Sequence, residues 1–330
     1  MGGRGAIALA ALLLAGCATA VQGPPAASLA DGRAGSIAFR TMTVTPRQFL
    51  LGEAGAPTVI VGDLTLPSGG ARVPAVVLMH GAGGVQDYHR LWARELNSVG
   101  VAAFVVDSFS GRGVGKIQET VEGHEAVNIG SRIIDAYRAL DLLATHPRID
   151  RERVVLMGFS HGAATTLHAT YTRFQQSYMT AGLEYAAYVP FYAFCNTRVL
   201  DDDKLSRRPI RLFHGAADDY TPVASCHAWV ARAKAVGADV ELKEYPLAHH
   251  GFDNFRLPPA LRSHNNLNPS RCFFTERVRG EMVNAATGQP LSYHDPCWGR
   301  GVTVGYEPGA YTDALASVKA FLATTVAAGR

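Results

Sequence analysis

Arg153-Val154-Val155-Leu156-Met157-Gly158-Phe159-Ser160-His161-Gly162 is the stretch that decides the fold. Val154–Met157 is an unbroken apolar run, the pattern of a strand buried on both faces. It leads into a G-x-S-x-G block that opens a helix-like stretch. The chain must leave a strand and enter a helix within a few residues, which strains the serine at the tip. A side chain at either flanking glycine would collide with neighbouring backbone. The Ser160 Oγ then stands clear, with unpaired N–H groups of the helix N-terminus directed toward it. Alone the pentapeptide is moderately specific, because small residues also surround buried serines in many helices.

Similar apolar runs recur on both sides: Val59–Leu66, Ala75–Met79, Val101–Val106, Ala186–Tyr192, Ile210–Phe213 and Val240–Tyr245. Between them lie helix-like stretches, Tyr88–Val99, Glu125–Thr145, His161–Tyr178 and Val223–Val236, and a last one runs from Ala310 to about Ala323. In the second, Ile133, Tyr137, Leu140 and Ala144 share a face at helical spacing. Strands alternating with crossover helices predict an α/β fold, a mostly parallel, doubly wound sheet flanked by helices. Residues 36–330 read as one such domain, with no internal repeat.

Chemistry-bearing residues gather just past the carboxyl ends of the predicted strands, where ligands bind in open α/β sheets. Ile210–Phe213 runs into His214-Gly215-Ala216-Ala217-Asp218-Asp219-Tyr220-Thr221-Pro222, and Val240–Tyr245 into Pro246-Leu247-Ala248-His249-His250-Gly251-Phe252. A serine, then an acid, then a histidine is the chain order of one class of hydrolytic triad. Asp218 or Asp219 can supply the acid, and His249 or His250 the base. Upstream, His80-Gly81-Ala82-Gly83-Gly84 is a turn able to present backbone N–H groups. The amides of Ala82 and His161 are therefore the expected oxyanion-hole pair.

Taken in order, HG-x-G-G, G-x-S-x-G, HG-x-x-D-x-x-x-P and A-x-H-x-F resemble the dienelactone hydrolase-like family of α/β-hydrolases, over about residues 55–325. The resemblance implies an α/β-hydrolase fold and the cleavage of an ester or lactone by Ser160, His250 and Asp218. It selects Asp218, four residues before Pro222, over Asp219, and His250, two residues before Phe252, over His249. Asp107-Ser108-Phe109-Ser110-Gly111-Arg112-Gly113 is similar to a family loop bordering the pocket, which makes Arg112 and Phe109 candidates for substrate contact. The founding members carry cysteine as nucleophile, whereas this chain carries serine, as many esterase relatives do. The segment 262–301 is an insertion that the resemblance does not cover. No metal or organic cofactor is implied. Gly111, Gly113 and Gly115 do not make a G-x-G-x-x-G loop, and the loop residues His264, His294 and Asp295 are weak grounds for a metal site.

The N-terminus points outside the cytoplasm. Arg4 is followed by a run from Ala6 to Ala15 without polar side chains, and Leu14-Ala15-Gly16-Cys17 resembles a bacterial lipoprotein signal cut before Cys17. The expected mature protein is held in the cell envelope by lipid on Cys17, on the periplasmic face of the outer membrane in a Gram-negative cell. Residues 18–35, rich in Ala, Gly, Pro and Ser, read as a tether. Setting Cys17 aside, four cysteines remain, and an even number in an oxidising compartment suggests two disulfides. Three pairings are open; nearest-neighbour pairing favours Cys195–Cys226 and Cys272–Cys297. The net charge of +3, with no basic run, implies neither nucleic acid nor an anionic surface as partner. The partner expected is a small ester or lactone. An exported peptidase or amidase, and a non-catalytic envelope protein on the same fold, are the alternative readings.

Overall fold

The computed structural model describes residues 24–326. Its strands are β1 (Gly35–Thr43), β2 (Ala56–Thr65), β3 (Val73–Met79), β4 (Ala102–Asp107), β5 (Ile149–Phe159), β6 (Ala187–Phe191), β7 (Thr197–Arg198), β8 (Ile210–Gly215), β9 (Val240–Tyr245), β10 (Leu261–Asn268), β11 (Phe274–Val278), β12 (Glu281–Asn284) and β13 (Gly299–Val304). Its helices are α1 (Pro46–Leu51), α2 (Asp87–Asn97), α3 (Val121–Ala126), α4 (Ile129–Leu143), α5 (His161–His168), α6 (Thr172–Tyr178), α7 (Val223–Ala235) and α8 (Pro308–Thr325). Eight strands form one sheet in the order β1-β2-β4-β3-β5-β6-β8-β9. From β4 to β9 every pairing is parallel, and β2 runs against both of its neighbours. This is the mostly parallel sheet expected, buried beneath helices on both faces.

The central strands show why their sequences read as unbroken apolar runs. Val77 and Leu156 face one core with Ile133, Tyr137 and Leu140 of α4. Val76, Leu78, Val155 and Met157 face the other with Trp92 of α2 and Val318 of α8. Alternate residues of one strand thus enter two different cores, and no position is left for a polar side chain.

Three expectations are corrected. The stretch Glu125–Thr145 holds the end of α3 and all of α4, because Asn128 caps α4 by accepting from Ser131 N–H at 3.1 Å. The stretch His161–Tyr178 breaks into α5 and α6, where Thr170 Oγ1 bonds back to the Leu167 carbonyl at 2.6 Å and Tyr171 bridges Leu205. The supposed tether is partly packed. Leu29 is fully buried, its N–H donating to Thr145 Oγ1 at 2.8 Å, and Ala26 bridges Phe39. One leucine with a core site available suffices to draw that stretch onto the domain. The signal-like segment 1–17 and Cys17 lie outside the described residues. Among the described residues, no helix is long and apolar enough to cross a membrane.

The insertion builds two small sheets beside the main one. β10 pairs antiparallel with β13, and β11 lies between β12 and β7. Both expected disulfides are present, Cys195–Cys226 joining the loop after β6 to α7 and Cys272–Cys297 closing the insertion. Replacing Cys195 and Cys226 together by serine is expected to lower stability by about 3 kcal/mol, read as an earlier urea midpoint. The Cys272/Cys297 double variant is expected to move the midpoint less and to change relative kcat/KM across esters of different acyl size more. Equal effects of the two pairs on both measurements would show that the insertion does not shape substrate choice.

Candidate active site

Ser160 sits at the turn between β5 and α5 with φ 54° and ψ −114°, a left-handed conformation unusual for a residue other than glycine. The flanking glycines permit it. A Cβ on Gly158 would lie 2.1 Å from the Gly162 carbonyl oxygen, and one on Gly162 would lie 2.1 Å from that of Met79. The turn is pinned to the sheet by Ser160 N–H donating to the Phe191 carbonyl at 3.0 Å.

Two neighbouring strand ends deliver the partners. His250 Nε2 lies 2.8 Å from Ser160 Oγ, and His250 Nδ1 lies 2.8 Å from Asp218 Oδ2. Asp218 is buried, yet every lone-pair direction of its carboxylate is used. Oδ1 accepts from Tyr220 N–H and Thr221 N–H at 2.9 Å each, and Oδ2 also accepts from Thr221 Oγ1 at 3.0 Å. Burial pushes this carboxyl up, but His250 and His214 beside it outweigh burial and hold it far below the usual carboxylate range. An ionised carboxylate on Nδ1 keeps a proton there and leaves Nε2 able to accept one from Ser160.

The competing residues have other work. Asp219 pairs with Arg262 at 2.6 Å and accepts from Thr303 N–H at 2.6 Å, tying the loop after β8 to β10 and β13. His249 Nδ1 lies 2.9 Å from the Ala217 carbonyl oxygen. Ala82 and His161 line the same cavity as Ser160, and among the described residues neither backbone N–H has an acceptor. His80 Nδ1 bonds the Gly81 carbonyl at 2.7 Å while Nε2 accepts from Ser108 N–H at 3.2 Å, so its ring braces the turn that carries Ala82.

The structure places Arg112 and Phe109 outside the lining of the cavity beside Ser160. All five Arg112 N–H groups are consumed, two by Asp135 at 2.8 and 2.9 Å and the rest by Thr43 Oγ1 and the carbonyls of Ser108 and Met42. Phe109 is buried behind Ala82, packed with Ile117 and Val127. His264, His294 and Asp295 are not brought together, and among the described residues no group of three or more His, Cys, Asp or Glu is placed to hold a metal.

The cavity beside Ser160 measures about 170 Å³ and is almost wholly apolar. Phe49 and Leu50 of α1, Ile129 and Ile133 of α4 and Phe174 of α6 line one side. The insertion contributes Leu267, Phe274, Met282, Leu291, Tyr293 and Trp298. The sequence reading missed two polar residues, one lining this cavity and one behind His161. His124 stacks on Tyr293 with ring centres 5.1 Å apart, and burial lowers its pKa to about 4. Arg132, fully buried, reaches His161 Nδ1 at 2.6 Å and the His80 carbonyl at 2.5 Å. The available signal was an arginine followed directly by Ile133 and Ile134 in a helix with almost no exposed face.

A family model described as "Dienelactone hydrolase family" matches residues 61–268. The chain belongs to the dienelactone hydrolase family. It is a carboxylic-ester hydrolase. No curated protein matches the chain significantly. Among solved structures, a dienelactone hydrolase-like promiscuous phosphotriesterase from metagenomic libraries shares 17% identity at a TM-score of 0.54, covering 88% of this chain and 99% of its own. A Klebsiella pneumoniae protein provisionally titled a dienelactone hydrolase shares 15% identity at a TM-score of 0.52, with the same coverage of 88% and 99%. At such identities the likeness is one of fold.

Behind His250 lies a second buried carboxylate. Asp253 accepts from Trp92 Nε1 and Tyr192 Oη at 2.7 Å each. Burial raises its pKa to about 6, against the lowering effect of those two bonds. Because the folded value is raised, the stability Asp253 contributes is complete below about pH 4 and is lost as the pH rises through about 6. Asp253→Asn should therefore gain on wild type as the pH rises from about 4 to about 6 and hold that gain above it, by up to about 3 kcal/mol. Thermal midpoints of the two proteins across that range test it, and a constant difference would place the Asp253 pKa outside the range.

Proposed function

We propose that the chain cleaves uncharged carboxylic esters or lactones by a Ser-His-Asp mechanism through an acyl-enzyme. The observation that carries the reading is the Ser160–His250–Asp218 relay, 2.8 Å at each step, beside an apolar cavity. Ser160 Oγ attacks the carbonyl carbon as His250 Nε2 takes its proton. Asp218 orients the ring and stabilises its charged form without becoming protonated. The N–H groups of Ala82 and His161 receive the oxyanion. His250 returns the proton to the alkoxide leaving group, then takes one from water as that water attacks the acyl-enzyme, and delivers it to Ser160 Oγ as the acyl bond breaks and the acid is freed.

The lining supports an apolar acyl group. With Arg112 committed to Asp135, no arginine of the D-S-F-x-x-R-G loop is available for a substrate carboxylate. Ser160→Ala and His250→Ala are each expected to lower kcat on p-nitrophenyl esters by about 10⁴-fold or more. His249→Ala and Asp219→Asn should stay within about 10-fold of wild type, and Asp218→Asn should fall far below Asp219→Asn. A reversed order in either pair sinks that assignment. We further read Cys17 as lipid-bearing. Cys17→Ser is expected to abolish incorporation of an alkyne-tagged fatty acid and release the protein from the membrane fraction, and unchanged labelling would disprove it.

A further inference from the structure

Arg132 is an unusual arginine. It lies in α4 with no exposed surface, and among the described residues no carboxylate comes within 4.0 Å of it. Asp135, one turn on, is held by both arms of Arg112 and by Thr41 Oγ1. The Arg132 guanidinium instead bonds two groups, one on each of the segments that carry the Ala82 and His161 amides. Nη2 donates to the His80 carbonyl at 2.5 Å, two residues before Ala82, and Nη1 meets His161 Nδ1 at 2.6 Å. The guanidinium carbon also lies 5.1 Å from the centre of the Phe109 ring, which packs behind Ala82.

A guanidinium only donates, so His161 Nδ1 must present its lone pair and the ring proton must be on Nε2. Burial, with Arg132 next in effect, holds His161 well below the usual histidine range, so the ring is neutral. His161 Nε2 has no partner among the described residues, and the residue lines the cavity beside Ser160.

We propose, resting on the triad reading above, that Arg132 is a positioning residue for the oxyanion hole: it ties the His80–Ala82 turn to the His161 end of α5, fixes His161 as an Nε2–H donor toward the cavity, and sets behind the oxyanion a positive charge that no carboxylate contacts. An unpaired buried charge costs stability. A negative charge that develops only in the transition state is what it suits, because such preorganised charge acts on the barrier and not on ground-state binding.

The test uses the full chain with Arg132→Gln, Arg132→Lys and His161→Leu, the last retaining the backbone N–H. Each is measured for kcat and KM on p-nitrophenyl butyrate, and for inhibition by an alkyl trifluoromethyl ketone, which forms a tetrahedral oxyanion adduct, and by the matching unreactive alcohol. Arg132→Gln is expected to lower kcat by about 10- to 100-fold with KM nearly unchanged, since a directly bonding oxyanion donor is worth about 10²–10³. Ketone affinity should weaken in parallel while alcohol affinity holds. Arg132→Lys should recover part of the loss, and His161→Leu should show a smaller loss of the same kind.

Wild-type kcat in Arg132→Gln, or ketone and alcohol affinities falling together, would overturn the proposal. If Arg132→Gln does not fold, His161→Leu and Arg132→Lys decide it: wild-type ketone affinity in both would overturn it equally. Fluorophosphonate labelling of the wild-type protein, located by peptide mapping, separates the two levels. Absence of label on Ser160 defeats the triad reading, whereas labelled Ser160 with indifferent Arg132 variants defeats only the role of Arg132.

Discussion

The close approach of the start of α5 to the end of β3 is the contact on which the site depends. Gly162 lies so near the Met79 and His80 carbonyls that a methyl group would sit 2.1 and 2.6 Å from their oxygens. That contact places Ser160 next to the turn beginning at His80, so the serine and the Ala82 amide are set by one packing event. The left-handed Ser160 backbone is held on one side by this contact and on the other by the bond to Phe191. Conformational strain of about 1–3 kcal/mol persists only where the surroundings over-determine it, as they do here.

The parallel sheet then limits where a base and an acid can come from. β8 and β9 end at the same edge as β5, so the loops after them meet over Ser160. The loop after β8 divides its two aspartates between different tasks. Asp218 turns inward to His250, and Asp219 turns outward to Arg262 of the insertion and to Thr303 just after it. The insertion has a second anchor, the buried pair of Glu276 with Arg173 of α6 at 2.5 Å. The cavity wall is thus tied to the acid loop at one end and to the helical layer at the other. Shape on the acyl side and geometry on the catalytic side are coupled through adjacent residues.

Much of this was legible because the informative signals are local. The elbow needs its glycines within five residues, and the parallel strands announce themselves by apolar runs. The loops that follow β8 and β9 carry their functional residues within a few positions of the strand ends. What failed was decided by distant partners. Arg112 fits a pocket loop by spacing, but Asp135, Thr43 and Met42 come from α4 and β1, and no local rule reveals that they would consume its donors. β1 was unread because its buried residues, Ile37 to Phe39 and Thr41, are interrupted by the exposed Ser36 and Arg40, a short and irregular signal directly after the stretch read as a tether. The insertion's roof over the cavity depends on hairpins and a disulfide that no motif specifies.

The two arginines of this region make one electrostatic unit. Asp135 hydrogen-bonds only one guanidinium, that of Arg112, in bidentate geometry, and its charge supports Arg132 from farther off. Arg132 keeps its charge, lowered to a pKa of about 9 by burial but still protonated at neutral pH. That charge in turn opposes protonation of the buried rings nearest it, His80 and His161, which burial already holds well below the usual range. Neutral rings can brace the turn and accept from the guanidinium, which protonated rings could not. The resting site therefore holds a positive charge beside donors with no acceptor. A neutral ester carbonyl answers that potential weakly, and the tetrahedral oxyanion of the proposed mechanism answers it fully. In the proposed mechanism the same imbalance that costs the folded protein stability would lower the barrier at Ser160, and it exists because Arg112 takes both hydrogen-bonding arms of Asp135.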